Sequence, residues 1–241
     1  MSRPTFVWAH DLHSSVAHED ALGRFDWSPV ADVARLVRYD ARGHGTAETQ
    51  YEDRAYRWSA LVDDMLWAAG ESGPFVAGGI GMGAVTAVFA ALRAPRRVQA
   101  LVIALPPLAW EEREAEAVSL REAAMAVERG GLAAYERWLA LQPRGAHTLG
   151  RHLHQMEEKV LAASLRGAAL SDLPSRHEVR GIVVPTLILA AEDLPLAPLA
   201  TASALADLLV LSELHVVPAP AAMVGWPALV GQFVADLPQW E

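Results

Sequence analysis

Residues 73–92 constrain this chain most, because they read as a strand, a sharp turn and a helix in immediate succession. Gly73-Pro74-Phe75-Val76-Ala77-Gly78 is a turn leading into a short buried strand. Met82, Val85, Phe89 and Leu92 then recur at helical spacing until Pro95 ends the run. Between them lies Gly79-Ile80-Gly81-Met82-Gly83, whose outer glycines let strand and helix approach closely around a strained residue. That is the context of the G-x-S-x-G nucleophile elbow. Position 81, however, is glycine, with neither a hydroxyl nor a Cβ. The turn is specified and its usual nucleophile is not.

Composition narrows the setting. A chain of 241 residues, 52 % hydrophobic and 20 % charged, suits one globular domain with a sizeable core. Its net charge of −9 argues against nucleic acid and anionic membranes as partners. The absence of cysteine excludes disulfides, thiolate catalysis and Cys-ligated metals. Lys159 is the sole lysine, so Schiff-base chemistry would rest on that residue. No segment reaches the length of a membrane helix, and Met1-Ser2-Arg3-Pro4 leads into a strand without a leader pattern, so a cytoplasmic location is expected. The excess of Arg over Lys and the many alanines point to a GC-rich bacterial coding sequence.

Strand character recurs at Thr5–Ala9, Ala34–Tyr39, Val98–Ala104, Ile182–Val184, Thr186–Leu189 and Glu213–Val217. Helical periodicity marks residues 56–70, about Ala200 to Leu209, and Ala228 to Leu237. Strands separated by helices imply a parallel α/β sheet, since each crossover must carry a helix over a face. Between about Trp110 and Ser175 strands vanish, and Ala/Glu/Leu-rich helices dominate, broken at Gly130-Gly131, Pro143-Arg144-Gly145 and Gly150. This block reads as a helical lid over 110–175, inserted into a core of 1–109 and 176–241.

With those signals in order, the chain resembles the α/β-hydrolase superfamily, most closely the small lid-bearing hydrolases typified by 3-oxoadipate enol-lactonases and related esterases. His10-Asp11 falls where these proteins carry the His-Gly of the oxyanion loop. Asp40-Ala41-Arg42-Gly43-His44-Gly45-Thr46-Ala47 matches their D-x-R-G-x-G-x-S loop, with alanine in the last position, and Gly79 to Gly83 matches the elbow. Arg96 to Val102 looks like the family's helix exit into the next strand. Pro185 to Pro198 is similar to the strand and loop that deliver the triad acid, and Val216 to Ala222 to the segment ending in the triad histidine. The resemblance implies an α/β-hydrolase fold: a mostly parallel sheet of about six strands flanked by helices, starting at the family's third core strand, with an inserted helical lid.

The departures fall at the functional positions. Gly81 replaces the nucleophile, Leu194 takes the acid position with Asp193 one residue earlier, and Ala222 replaces the base. A Ser-His-Asp relay needs all three groups, so hydrolysis through a seryl intermediate is not expected. The backbone amides of Leu12 and Met82 would still occupy the oxyanion-hole positions, and such donors outlast the nucleophile. Asp11 and His13 are the candidates for general acid–base chemistry. His10, Gly81, Trp110 and Trp138 would line a pocket, while His44 belongs to a structural loop. His10, His13, His18, Glu19 and Asp20 match no zinc spacing, so neither metal nor cofactor is expected. His152 and His154 would sit on a lid helix, solvated or lining the pocket, and Glu111, Glu112, Arg113, Glu114 and Glu116 read as a wet helix face.

Three functions stay open at this point. The first is a cofactor-free, non-hydrolytic enzyme of lyase, isomerase or cyclase type on a small apolar carbonyl compound. The second is an inactive pseudo-hydrolase that binds a ligand or serves as a scaffold. The third is a hydrolase with a relocated nucleophile, Ser14 or Ser15, or an activated water. Each implies a small-molecule ligand as partner, without nucleic acid or membrane, and a homodimer is compatible with all of them.

Overall fold

The computed structural model describes residues 3–12, 14–142 and 156–238. His13, His152, His154 and the breaks expected at 143–145 and 150 lie outside the described residues. Six strands form one sheet in the order β2-β1-β3-β4-β5-β6. They are β1 (Thr5–Ala9), β2 (Arg35–Tyr39), β3 (Phe75–Ile80), β4 (Val98–Ala104), β5 (Thr186–Ala191) and β6 (Ser212–Val217). Every pairing is parallel, as the alternation of strands and helices requires.

The helices are α1 (Val16–Leu22), α2 (Ser28–Val33), α3 (Val62–Ala69), α4 (Met82–Arg93), α5 (Arg113–Ala140), α6 (Glu158–Ala169), α7 (Arg176–Arg180), α8 (Leu199–Leu208) and α9 (Trp226–Asp236). Strand periodicity sorts the core onto two faces. Val7, Ala77, Leu101 and Ile188 pack under α3, α4 and α8. Phe6, Val76, Val102 and Leu187, each one residue away in the same strands, pack under α2 and α9. Both faces of the inner strands are thus dry, which is why these strands read as continuous apolar runs.

The segment between β4 and β5 carries its own core, in which Tyr135, Val160, Leu161 and Leu165 meet Tyr56. Helix α5 is interrupted at Gly130 and Gly131, where a helix break was expected.

Three local readings need correction. Ile182–Val184 is not a strand: Pro185 has no N–H to give to a ladder, and pairing begins only at Thr186. The helix expected over 56–70 is only Val62–Ala69, preceded by a 3₁₀ turn at Asp53–Tyr56, because the Trp58 amide donates to Ser171 Oγ (3.0 Å) and not to a helical carbonyl. Helices α1 and α2 had no sequence assignment. Ser15 Oγ accepts from the His18 amide (3.1 Å) and Gly23 closes α1 in the left-handed region, so the caps bracket only seven residues.

Candidate active site

The chain leaves β1 toward β2 on one side of the sheet and leaves β3 toward β4 on the other. The carboxyl ends of β1 and β3, paired at Ala9 and Gly79, therefore flank a topological switch point, where open α/β sheets bind ligands. The loop after β1 carries His10, Asp11 and Leu12, and the turn after β3 is Gly81.

Gly81 holds φ 55° and ψ −116°, a strained turn that L side chains rarely adopt. Its amide donates to the Ala104 carbonyl at the end of β4 (3.0 Å), and its carbonyl accepts from the Val85 amide (3.2 Å). Two residues on, a Cβ at Gly83 would lie 2.2 Å from the Ala9 carbonyl oxygen, so only glycine lets α4 pass this close to β1.

Asp11 fills the space this turn leaves. Its Oδ1 accepts from the Leu12 amide (2.8 Å) and from the Met82 amide (3.0 Å). Those are the two donors expected to form the oxyanion hole. A Cβ built on Gly81 would lie 1.9 Å from the same Oδ1. The two amides therefore converge on one point, and a carboxylate of the chain itself accepts from both. Each such charge-assisted bond contributes about 1.5–3 kcal/mol, and Met82 opens α4, whose N-terminus favours an anion.

His10 fixes the loop beneath. Its Nε2 accepts from the Ala41 amide (3.0 Å), which places the ring proton on Nδ1, donating to the Asp11 carbonyl (2.7 Å). Burial, with His44 alongside, pushes its pKa down to about 3, so the ring is neutral and fully committed to backbone. Asp40 ties down the next turn, accepting from the Val16 (2.8 Å) and Thr46 (3.0 Å) amides. Burial alone would raise its pKa, but these N–H bonds hold it below the ordinary value.

Charges gather around Asp11 from two sides. In the segment after β4, Arg113 is buried over the Trp58 ring at 4.3 Å. It donates to the carbonyls of Ser171 (2.7 Å) and Ala168 (2.6 Å) and forms an ion pair with Glu116. Burial pushes the Glu116 carboxyl up to about 7 against the pull of Arg113, and the charges of Asp11 and Asp172 push it the same way. This overturns the wet face expected for Arg113 and Glu116, whose side chains are 5 % and 12 % exposed. On the other side, Glu19 pairs with Arg38 (3.0 Å), and burial raises its pKa despite that partner. Asp11, Ser14, Glu19, Leu22, Arg24, Phe25 and Ile80 line a cleft with a volume of about 20 Å³, the size of one water.

The remaining candidates have partners of their own. The Trp110 amide donates to Asp172 Oδ1 (3.0 Å), its indole N–H to the Pro174 carbonyl (2.9 Å), and Arg176 stacks on the ring at 4.1 Å. Trp138 stacks on Tyr135, with centroids 5.8 Å apart, inside the α5–α6 packing. Leu194 is buried in the core under α2 and α9, with Asp193 exposed beside it at φ 59°. Ala222 is exposed in a 3₁₀ turn at Pro220–Gly225. Ser15 serves as the cap of α1. Among the described residues, no group of three His, Cys, Asp or Glu side chains is placed to hold a metal ion.

The sequence pointed to Asp11, Leu12, Met82 and Gly81, and the structure brings these four together. It missed Glu116 and Arg113. Extending the apolar face of α5 (Leu120, Ala124, Val127) back by one to two turns reaches both positions, and that was the available signal.

No protein-family model matches the sequence, and neither does any curated protein sequence. Solved structures do match over nearly the whole chain. A thermophilic esterase from Thermogutta terrifontis superposes with a TM-score of 0.74 at 20 % identity, covering 98 % of this chain and 89 % of that one. MenH from S. aureus gives 0.74 at 17 % identity, covering 98 % and 95 %. The enol-lactonase from Burkholderia xenovorans LB400 gives 0.65 at 20 % identity, covering 98 % and 91 %. The chain has the α/β-hydrolase fold.

Proposed function

We propose that this protein is a cofactor-free, non-hydrolytic enzyme of lyase, isomerase or cyclase type, acting on a small, largely apolar carbonyl compound with Asp11 as its proton acceptor. The observation that carries this reading is the seat of the Asp11 carboxylate, fixed by two amides in the volume where a nucleophile's side chain would stand. With glycine at position 81, no hydroxyl remains at the turn to attack a carbonyl. A positioned carboxylate can instead take a proton from carbon beside a carbonyl, which contributes about 10²–10⁴ in rate. Glu116, at about 7, is suited to return a proton near neutral pH. The α5–α6 segment serves in this reading as the lid that keeps water from the site. An esterase and an enol-lactonase share the fold, and their names support a carbonyl-bearing substrate.

The test uses phenylacetone, a small enolisable ketone, in D2O, with carbon-bound hydrogen exchange followed by NMR. The wild-type protein accelerates exchange over buffer, and Asp11→Asn reduces the acceleration about 100-fold or more. Exchange equal in the two proteins, or no acceleration by either, contradicts the reading. A second reading, a ligand-binding pseudo-hydrolase, is favoured by the same carboxylate closing the hole. It predicts that phenylacetone binds without accelerated exchange.

A further inference from the structure

We infer that the open edge of β6 is the interface of a homodimer, in which two copies join antiparallel about a two-fold axis at Leu214 and continue one sheet across both chains. Strand β6 ends the sheet, with β5 on one side and, among the described residues, no strand on the other. The Thr186 and Glu192 amides donate to the carbonyls of Leu211 (2.8 Å) and Val217 (2.9 Å). In this parallel register Glu213 and His215 turn their backbone groups to β5, while Ser212, Leu214 and Val216 turn both N–H and C=O to the open edge. Such an edge is a template for another strand unless proline, a bulge or unmatched charge blunts it. The opposite edge, β2, carries Arg35 and Arg38, and Arg38 is tied to Glu19 of α1 at 3.0 Å. Strand β6 differs: proline comes only at Pro218, after its last residue, and Leu211 and Val216 are 52 % and 40 % exposed.

The side chains choose both the register and the occupant. With the axis at Leu214, this residue faces its own copy and Ser212 faces the partner's Val216. All of these have outward N–H and C=O groups, so each pair exchanges both backbone bonds. Glu213 then stands opposite the partner's His215, and Leu211 opposite the partner's Val217, on one face of the joined sheet. Acid meets imidazole near the axis, and apolar meets apolar outside it. An imidazole N–H donates to a carboxylate in its neutral form as well as its charged one. Within one chain these two groups lie 3.6 Å apart and are exposed, so both can reach across. Moving the axis by one residue sets Glu213 against Glu213 or His215 against His215, and like charges directly opposite are unfavourable. The surface that complements this strand is therefore the same strand, and a two-fold contact closes on itself. None of this depends on chemistry at Asp11.

Sedimentation equilibrium of the full chain tests the inference, and the wild type is expected as a dimer. Glu213→Arg and His215→Glu each remove the match at two symmetric positions and raise the dissociation constant about 10-fold or more. Mixed in equal amounts, the two variants pair with each other. The introduced arginine then faces the introduced glutamate, while the unchanged His215 of one chain faces the unchanged Glu213 of the other. Val216→Pro removes an outward N–H, leaves the β5 ladder intact and weakens the dimer likewise, should a charge variant fail to fold. A wild type that stays monomeric up to its solubility limit overturns the inference. So do folded variants that dimerise as tightly as the wild type, or a mixture that associates no more tightly than its components.

Discussion

At the scale of single residues, a side chain at position 81 and the seated Asp11 carboxylate exclude each other in space, since a Cβ on Gly81 would lie 1.9 Å from Asp11 Oδ1. Gly81→Ala should therefore destabilise the protein twice over, through the positive φ, at about 1–3 kcal/mol, and through the clash. Asp11→Gly removes the clash and leaves the φ cost. Urea denaturation of the four proteins of this cycle should show a favourable coupling of about 1 kcal/mol or more. Strict additivity would mean that the two residues do not share the site. Glu116 makes a second prediction. Its carboxyl titrates near 7 when folded and near 4.5 when unfolded, so between these values the native state keeps a proton that the unfolded chain has released. The stability this contributes is complete below pH 4.5 and is lost as pH rises through 7. The total loss is on the order of 3 kcal/mol. Glu116→Gln should flatten that part of the pH–stability curve, and an unchanged slope would place the titration elsewhere.

At the scale of elements, the inner strands were legible because helices cover them on both faces, and an apolar run bounded by turns has few other uses. The short pieces were not. Helix α1 owes its existence to Ser15 and Gly23, and Ser15→Ala should cost about 1 kcal/mol by thermal melting. Ile182–Val184 has strand composition but is followed by Pro185, and one missing N–H moves the first paired residue to Thr186. Arg113 was misread for a different reason. Charged residues at a helix start are usually solvated, and only tertiary structure puts Trp58, Ser171 and Ala168 around this one. Because it bonds the start of α5 to the end of α6, Arg113→Ala should destabilise by about 3–5 kcal/mol, leaving the buried Ser171 and Ala168 carbonyls without their charged donor, while Glu116 takes up a proton. A loss below about 1 kcal/mol, the range of an exposed pair, would show that this joint is not buried in solution.

At the scale of the molecule, strand order sets the site: β1 and β3 diverge to opposite sides, and their following loops must meet. The meeting of Asp11 with Gly81 was half legible. The glycine and the unusual aspartate were visible in the sequence, while the side chain's turn into the amide pair depends on backbone geometry that no spacing reveals. With glycine at the turn and a carboxylate bonded beside it, a fluorophosphonate probe should leave the wild-type protein unlabelled, as read by intact-protein mass spectrometry. The most direct measurement of this account is an acid titration of the Leu12 and Met82 amide resonances in wild type and Asp11→Asn. If one carboxylate oxygen takes both N–H groups, the two resonances move together with a single midpoint in the wild type, and neither moves in the variant. Independent midpoints, or movement that survives Asp11→Asn, would contradict the seat on which the account rests.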